Sequence, residues 1–181
     1  MKNNKGLTLI ETLVSIVLFG IISTLLINIF IVSIRTQTRI IANQELVEQS
    51  TYALDYMANK IRMAVKDETG YCNGLISNYV TGTNSIRFIS YDAANSKYVC
   101  REFILEGNAV KERISSDETS VSLGTPTPIT SSSFNVSNLV FSLNGDDSTH
   151  QPKITIAITM SKESSKELTV QTTISQRRLN I

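Results

Sequence analysis

The sequence has few of the residues that build metal centres and active sites. Among its 181 residues there is one histidine, His150, and there are two cysteines, Cys72 and Cys100. A structural zinc site takes four ligands, mostly cysteine and histidine, so this set is too small for one. The motifs G-x-x-x-x-G-K-[ST] and G-x-S-x-G are absent as well, which argues against a P-loop ATPase and a hydrolase nucleophile elbow. We therefore expect no enzyme, no cofactor and no bound metal.

Two kinds of site have weaker support in the sequence: a calcium site at a predicted turn and a DNA-binding surface formed by scattered basic residues. Asn144, Asp146 and Asp147 have oxygen ligands that suit calcium, but their spacing does not match an EF-hand. His150 follows them in a predicted loop, where we expect it to be solvated. The net charge is only +1, so the charge balance does not indicate nucleic acid as a partner. A role in DNA uptake has no support beyond scattered basic residues, which are Lys111, Arg113, Arg177 and Arg178.

Charged residues are missing from a long stretch near the N-terminus. Thr12 to Ile34 contains 23 residues without a charge. As a helix this run spans about 35 Å, which exceeds the roughly 30 Å of a bilayer core. Lys2 and Lys5 precede the run, so the positive-inside rule places the N-terminus in the cytoplasm. The sequence therefore predicts a single-pass protein of the cytoplasmic membrane, with the chain from Arg35 onward exported.

Three interpretations of this segment compete. A cleaved secretory signal has a shorter apolar region and a small-residue cleavage site, which this sequence lacks. An ordinary signal anchor fits the length, but it does not explain Glu11, since a carboxylate in an apolar span is costly and usually has a partner. A prepilin signal explains both the length and the acidic residue.

The residues that favour the prepilin signal are Lys5-Gly6-Leu7-Thr8-Leu9-Ile10-Glu11. This stretch resembles the class III signal of type IV prepilins and type II secretion pseudopilins. The resemblance implies cleavage after Gly6 by prepilin peptidase and N-methylation of Leu7. It also implies that Glu11, the fifth mature residue, pairs with the amine of a neighbouring subunit during assembly. Leu7 departs from the family pattern, which most often has phenylalanine there.

The two cysteines follow the predicted membrane segment and are 28 positions apart. In an exported domain two cysteines favour a disulfide, here between Cys72 and Cys100, and two free, partly buried thiols are the alternative. In the chain-entropy model a closed loop of this size contributes about 3 to 4 kcal/mol.

From Arg35 to about Lys66 the pattern predicts an amphipathic helix. The residues Ile40, Val47, Leu54 and Ile61 recur every seven positions, and Ser50, Met57 and Ala64 follow three positions later. One apolar stripe of this kind favours packing against a sheet over a coiled-coil seam. The stretch Ala53–Ala64 also resembles the corresponding part of minor pilins and J-type minor pseudopilins.

The rest of the chain reads as strands and turns. The predicted strands are Ser85–Tyr91, Lys97–Leu105, Asn108–Ile114, Phe134–Leu143 and two with period-two alternation around Ile154–Met160 and Leu168–Ile174. Residues Ser115–Ser133 are predicted to form a long loop. The alternation predicts one buried face that matches the apolar stripe of the helix, so the fold class is α+β, with a helix across an antiparallel sheet.

These observations predict four segments: a leader at 1–6, a transmembrane or filament-core helix at 7–34, an amphipathic helix at 35–66 and a β head at 67–181. The predicted function is a structural subunit, a minor pilin or pseudopilin, of a type IV pilus, a type II secretion system or a related filament. Its expected partners are prepilin peptidase, other pilin or pseudopilin subunits and the membrane. The alternative is a membrane-anchored adhesin or DNA receptor that does not polymerise.

Overall fold

The structure is a computed structural model that describes residues 8–118, 122–145, 151–163 and 165–177. One long helix, α1, runs from Leu9 to Arg62. The chain divides between Ile41 and Ala42 into two compact units, which are described separately below. The helix ends four residues before the predicted Lys66, because Ala64 and Val65 already pair with a strand of the head.

The first sheet of the head is antiparallel and is built from six strands in the order β1-β3-β4-β5-β6, with β2 also paired to β3. The bounds are β1 Ala64–Val65, β2 Val80–Thr81, β3 Ser85–Asp92, β4 Lys97–Glu106, β5 Ala109–Ile114 and β6 Thr127–Pro128. The predicted hairpin between β3 and β4 is confirmed. The predicted loop 115–133 contains the short strand β6, which pairs with Lys111 and Glu112.

The second sheet is a three-stranded antiparallel meander in the order β7-β8-β9. Its strands are β7 Phe134–Asn144, β8 Lys153–Lys162 and β9 Leu168–Ser175. The alternation predicted for β8 is confirmed, since Ile154, Ile156, Ile158 and Met160 are buried and the residues between them are only partly buried. The described part of the head therefore has two antiparallel sheets, whereas the sequence predicted one.

The core lies between the second half of α1 and both sheets, which confirms the α+β fold class. The helix contributes Leu46, Ala53, Leu54, Met57 and Ile61 to this cluster. The first sheet contributes Ile86, Phe88, Phe103 and Val110, and the second contributes Val136, Leu139, Phe141, Ile154, Ile156, Ile158, Met160 and Ile174.

The predicted stripe is correct for Ser50, Leu54, Met57, Ile61 and Ala64, all of which are buried. It is wrong at Ile40 and Val47, which are exposed. The buried line runs instead through Leu46, Ser50, Ala53 and Met57, in steps of three and four residues.

Candidate assembly segment and its supporting head

The N-terminal part of α1 starts at the predicted processing signal. The carbonyl oxygen of Thr8 accepts hydrogen bonds from the backbone N–H groups of Glu11, at 3.1 Å, and Thr12, at 3.2 Å. The helix therefore begins within the Thr8-Leu9-Ile10 part of the signal. Gly6 and Leu7, the residues of the predicted cleavage point, lie outside the described residues.

Glu11 lies in the first turn of α1, and its side chain is exposed. A carboxylate at this position interacts favourably with the positive end of the helix dipole. In the described part of the chain no basic group lies within salt-bridge distance of it. Glu11 is thus an exposed acidic group at the start of an apolar surface, and any cation that pairs with it comes from outside these residues.

The surface that follows Glu11 is apolar all round. Every Leu, Ile, Val and Phe side chain from Leu9 to Ile34 is exposed, between 43% at Ile31 and 82% at Leu9. Burial of apolar area is worth roughly 25 cal/mol per Å², so this surface is costly to leave in water. The helix is long and apolar enough to cross a membrane. It therefore belongs in a lipid bilayer or against other apolar helices.

Polar side chains within this segment bond to the helix itself. The hydroxyl groups of Ser15 and Thr24 donate to the carbonyl oxygens of Glu11 and Gly20, four residues earlier, at 2.7 and 2.9 Å. Hydroxyl groups satisfied in this way can lie in an apolar environment. A Cβ atom at Gly20 would meet nothing within 4 Å, so this glycine leaves a small notch in the surface. Small residues of this kind let a second helix approach closely.

A loop after β1 is fixed from within by one carboxylate. Asp67 is buried, and its Oδ1 atom accepts hydrogen bonds from Gly70 N at 2.7 Å and from the N–H and hydroxyl of Thr69. Its Oδ2 atom accepts from the N–H groups of Cys72 and Asn73 at 2.9 and 2.8 Å. Burial alone would raise the pKa of Asp67, but the hydrogen bonds outweigh it and lower the pKa below 3.8.

The same loop is joined to β4 by a disulfide. Cys72 and Cys100 are bonded, with their Cα atoms 5.4 Å apart, and both residues are buried. They form a small second cluster with Ile89, against which Val65 and Leu123 pack. The disulfide and Asp67 together hold residues 67–73 against the first sheet.

A buried charge lies between the helix and the first sheet. Arg101 on β4 is almost fully buried, and it forms an ion pair with Glu112 on β5 and donates from Nε to the hydroxyl of Ser90 at 3.0 Å. Glu112 also accepts a hydrogen bond from Tyr56 on α1 at 2.9 Å. A buried charge is stable only when it is paired and hydrogen-bonded, and these three partners meet that condition.

Two of the basic residues that the sequence analysis named, Lys111 and Arg113, form ion pairs with glutamates of the first sheet. Arg113 pairs with Glu102 and Glu106, and Lys111 pairs with Glu106, all across β4 and β5. Arg178 lies outside the described residues, as do Asp146, Asp147 and His150 of the second site hypothesis, so their arrangement stays a prediction. Asn144 ends β7. Within residues 8–118, 122–145, 151–163 and 165–177 there is no cluster of metal-ligating side chains.

Sequence reasoning missed three features of the head. They are the Asp67 loop, the Arg101–Glu112–Tyr56 group and the ion pair between Glu45 on α1 and Lys162 on β8. The sequence signal for Asp67 was its position before Gly70 and Gly74, both of which have positive φ. For Arg101 there was no local signal, because its partners come from three separate elements.

Comparison with known proteins identifies the N-terminal segment. Residues 1–27 match the family described as the prokaryotic N-terminal methylation motif. The chain therefore carries the N-terminal signal that is typical of type IV pilins and pseudopilins. No curated protein and no solved structure matches the chain. The exposed apolar helix that begins at this motif fits a membrane-anchored subunit.

Proposed function

We propose that the chain is a structural, non-enzymatic subunit of a pilus or pseudopilus, of the minor class. Prepilin peptidase cuts it after Gly6, Leu7 is methylated, and the mature helix enters a filament. The observation that carries this proposal is the combination of the methylation motif with the exposed apolar surface from Leu9 to Ile34.

The physical argument concerns what can cover that surface. A bilayer covers it before assembly, and the apolar helices of other subunits can replace the lipid afterwards. Cutting before Leu7 creates a new amine close to Glu11, which is exposed in the first helical turn. Opposite charges a few Å apart attract strongly in an apolar environment, so the amine of one subunit can satisfy the carboxylate of the next. In this arrangement Glu11 selects the correct register between subunits.

The assignment to the minor class is supported by the helix of the head. Its stretch Ala53–Ala64 resembles the corresponding helical stretch of minor pilins and J-type minor pseudopilins. A DNA receptor that never polymerises is less well supported, because Lys111 and Arg113 are already paired with Glu102 and Glu106. The machine that contains this subunit is a pilus, a secretion system or a DNA-uptake apparatus.

The test is the intact mass and N-terminal sequence of the full chain extracted from membranes of cells that contain prepilin peptidase. We expect the wild-type chain to begin at methylated Leu7 and Gly6→Val to keep residues 1–6. Gly20→Val is the matched control, since a side chain there meets nothing within 4 Å, and it should be processed normally. A wild-type chain that still begins at Met1 contradicts the proposal and favours an ordinary signal-anchored receptor.

A further inference from the structure

Strand β9 is the outer strand of the second sheet, and among the described residues one of its edges has no partner strand. The sheet order is β7-β8-β9, and β9 pairs with β8 along its whole length, from Leu168 to Ser175. An unpaired edge presents a row of backbone N–H and C=O groups that another extended chain can bind.

The register shows which backbone groups face this free edge. The N–H of Gln176 donates to the carbonyl oxygen of Pro152 at 3.2 Å, and Lys153 lies opposite Ser175. Because hydrogen-bonded pairs alternate along an antiparallel ladder, the even-numbered residues of β9 bond to β8. The odd-numbered residues, Thr169, Gln171 and Thr173, then direct their backbone groups outward. In the part of the chain that the structure describes, no backbone hydrogen bond reaches them from that side.

The β9 edge lacks the features that protect exposed edges. The strand Leu168–Ser175 contains no charged residue and no proline, and its register with β8 has no bulge. Natural proteins use these devices to prevent unwanted pairing. Other described edges have them: β7 has a register shift between Val136 and Asn138, and β6 is two residues long and ends in Pro128. The β9 edge is therefore open to strand addition.

The core side of β9 is incompletely covered. Ile156, Ile158 and Met160 on β8 are fully buried, whereas their partners on β9 are only partly buried. Those partners are Thr172, Val170 and Leu168. An added strand with apolar residues at alternate positions would continue this face and cover them. A segment that fits this edge would be extended, uncharged where it contacts β9 and apolar on its core side.

A second copy of this chain does not fit that position. In an antiparallel pair of two β9 strands the symmetry axis is perpendicular to the sheet, so the helix packed on the second head would run in the opposite direction. The N-terminal ends of these helices lead into the apolar segments, which must enter one membrane. In a parallel arrangement β9 would pair with a different edge strand of the second copy, and that strand would have to be long and regular. The other described edges are short or interrupted.

We propose that β9 binds an extended segment of a different protein by strand addition along Thr169, Gln171 and Thr173. The inference relies on the proposed function only for the membrane anchorage that rejects a second copy. The interaction uses backbone hydrogen bonds for affinity and the apolar face of β9 for specificity.

Gln171 allows a matched test, because its backbone N–H faces away from β8 and its side chain is exposed. Gln171→Pro removes the outward donor and leaves the ladder to β8 intact, whereas Gln171→Ala keeps the donor. The full chain carries photoreactive benzoylphenylalanine at Thr169 and is expressed in the cells that normally make it. We expect an adduct with a protein of different sequence, reduced at least about tenfold by Gln171→Pro and unchanged by Gln171→Ala.

Two further measurements keep a negative result interpretable. Thr172→Pro removes an N–H that bonds to β8, so it should lower the thermal midpoint, while Gln171→Pro should not. Amide hydrogen exchange should show Gln171 and Thr173 protected in complexes extracted from cells and unprotected in the purified chain, with Thr172 protected in both.

Three results overturn the inference: an adduct only with a second copy of this chain, an adduct equally strong in both Gln171 variants, or no adduct together with equal exchange at Gln171 in both preparations. Failure of the proposed function is seen separately, as an uncut leader before Leu7.

Discussion

The hydroxyl group of Tyr56 on α1 donates a hydrogen bond of 2.9 Å to Oε2 of Glu112 on β5. Glu112 also holds the buried Arg101, so one carboxylate connects the helix with two strands of the first sheet. Burial, the hydrogen bond to Glu112 and its negative charge raise the pKa of Tyr56 to about 12.

Tyr56→Phe should therefore destabilise the head by about 1 to 2 kcal/mol, because Glu112 loses a donor while the ring packing with Phe103 remains. The measurement is guanidinium unfolding of the full chain in detergent micelles, followed by near-ultraviolet circular dichroism. Tyr52→Phe, on the same helix but with an exposed ring, is the control and should have little effect. Equal losses in the two variants would contradict the assigned role of the Tyr56 hydroxyl.

Because the pKa of Tyr56 is raised on folding, neutral Tyr56 stabilises the head fully below pH 10, and this contribution is lost as the pH rises towards 12. Tyr56→Phe should lessen the loss of stability over this range.

Glu112→Ala should lower the free energy of unfolding more than Tyr56→Phe does, by about 3 to 5 kcal/mol, because the guanidinium group of Arg101 stays buried without its carboxylate partner. Glu106→Ala is the control on the neighbouring strand, where the carboxylate is 44% exposed and its ion pairs are worth at most about 1 kcal/mol. Unfolding in guanidinium compares the two variants. The double variant Arg101→Met, Glu112→Leu should recover much of the loss, and a double variant as unstable as Glu112→Ala would refute the unpaired-charge explanation.

Asp67→Asn should reduce stability by about 3 kcal/mol at neutral pH, because an amide keeps one acceptor oxygen where the carboxylate uses two. The pKa of Asp67 is lowered on folding, so its contribution is fully present above the ordinary value of 3.8 and is lost as the pH falls through the lower folded value. The wild-type chain should lose stability on acidification over that range more than Asp67→Asn does. Asp55→Asn, at an exposed helix position, should retain the wild-type pH profile.

Replacing both cysteines, Cys72→Ser with Cys100→Ser, should lower the free energy of unfolding by about 3 to 4 kcal/mol, as expected for a closed loop of this length. The variant also buries two hydroxyl groups, so the wild-type chain unfolded in dithiothreitol serves as the comparison. Both preparations should show a lower midpoint than the oxidised chain. An unchanged unfolding midpoint after reduction would contradict this prediction. It would show that the hydrogen bonds of Asp67 are enough to keep the loop folded without the disulfide.

Sequence patterns correctly predicted the local secondary structure. They did not predict contacts between elements that are distant in the chain. Three predicted features depend only on neighbouring residues and are confirmed. They are the helix over the apolar run before Arg35, the hairpin between β3 and β4, and the alternating burial of β8. The number of sheets was not predicted correctly, because period-two alternation gives the buried face of a strand but not the strand it pairs with.

The same limit explains the residues of the head that were missed. Arg101 looks like a surface charge on an alternating strand until Ser90, Glu112 and Tyr56 are brought around it by three other elements. Val47 shows the opposite error, since it is apolar and in heptad register yet exposed, because the buried face of α1 is centred on Leu46 and Ser50. The predicted processing residues, Gly6 and Leu7, were proposed from a linear motif, which can be recognised without knowledge of the fold.

Glu11→Gln tests the assembly role of the first helical turn. The variant keeps the size and polarity of the side chain but cannot form an ion pair with the α-amino group of Leu7 that the proposed cleavage creates. We expect it to be inserted and cut like the wild-type chain, while the fraction recovered with other subunits after membrane extraction falls at least about tenfold. Glu48→Gln is the matched control, since Glu48 is an exposed glutamate on the same helix but in the head, and it should assemble normally. If the two variants assemble equally well, Glu11 does not set the alignment between subunits. Its acidic side chain is then explained by the helix dipole alone.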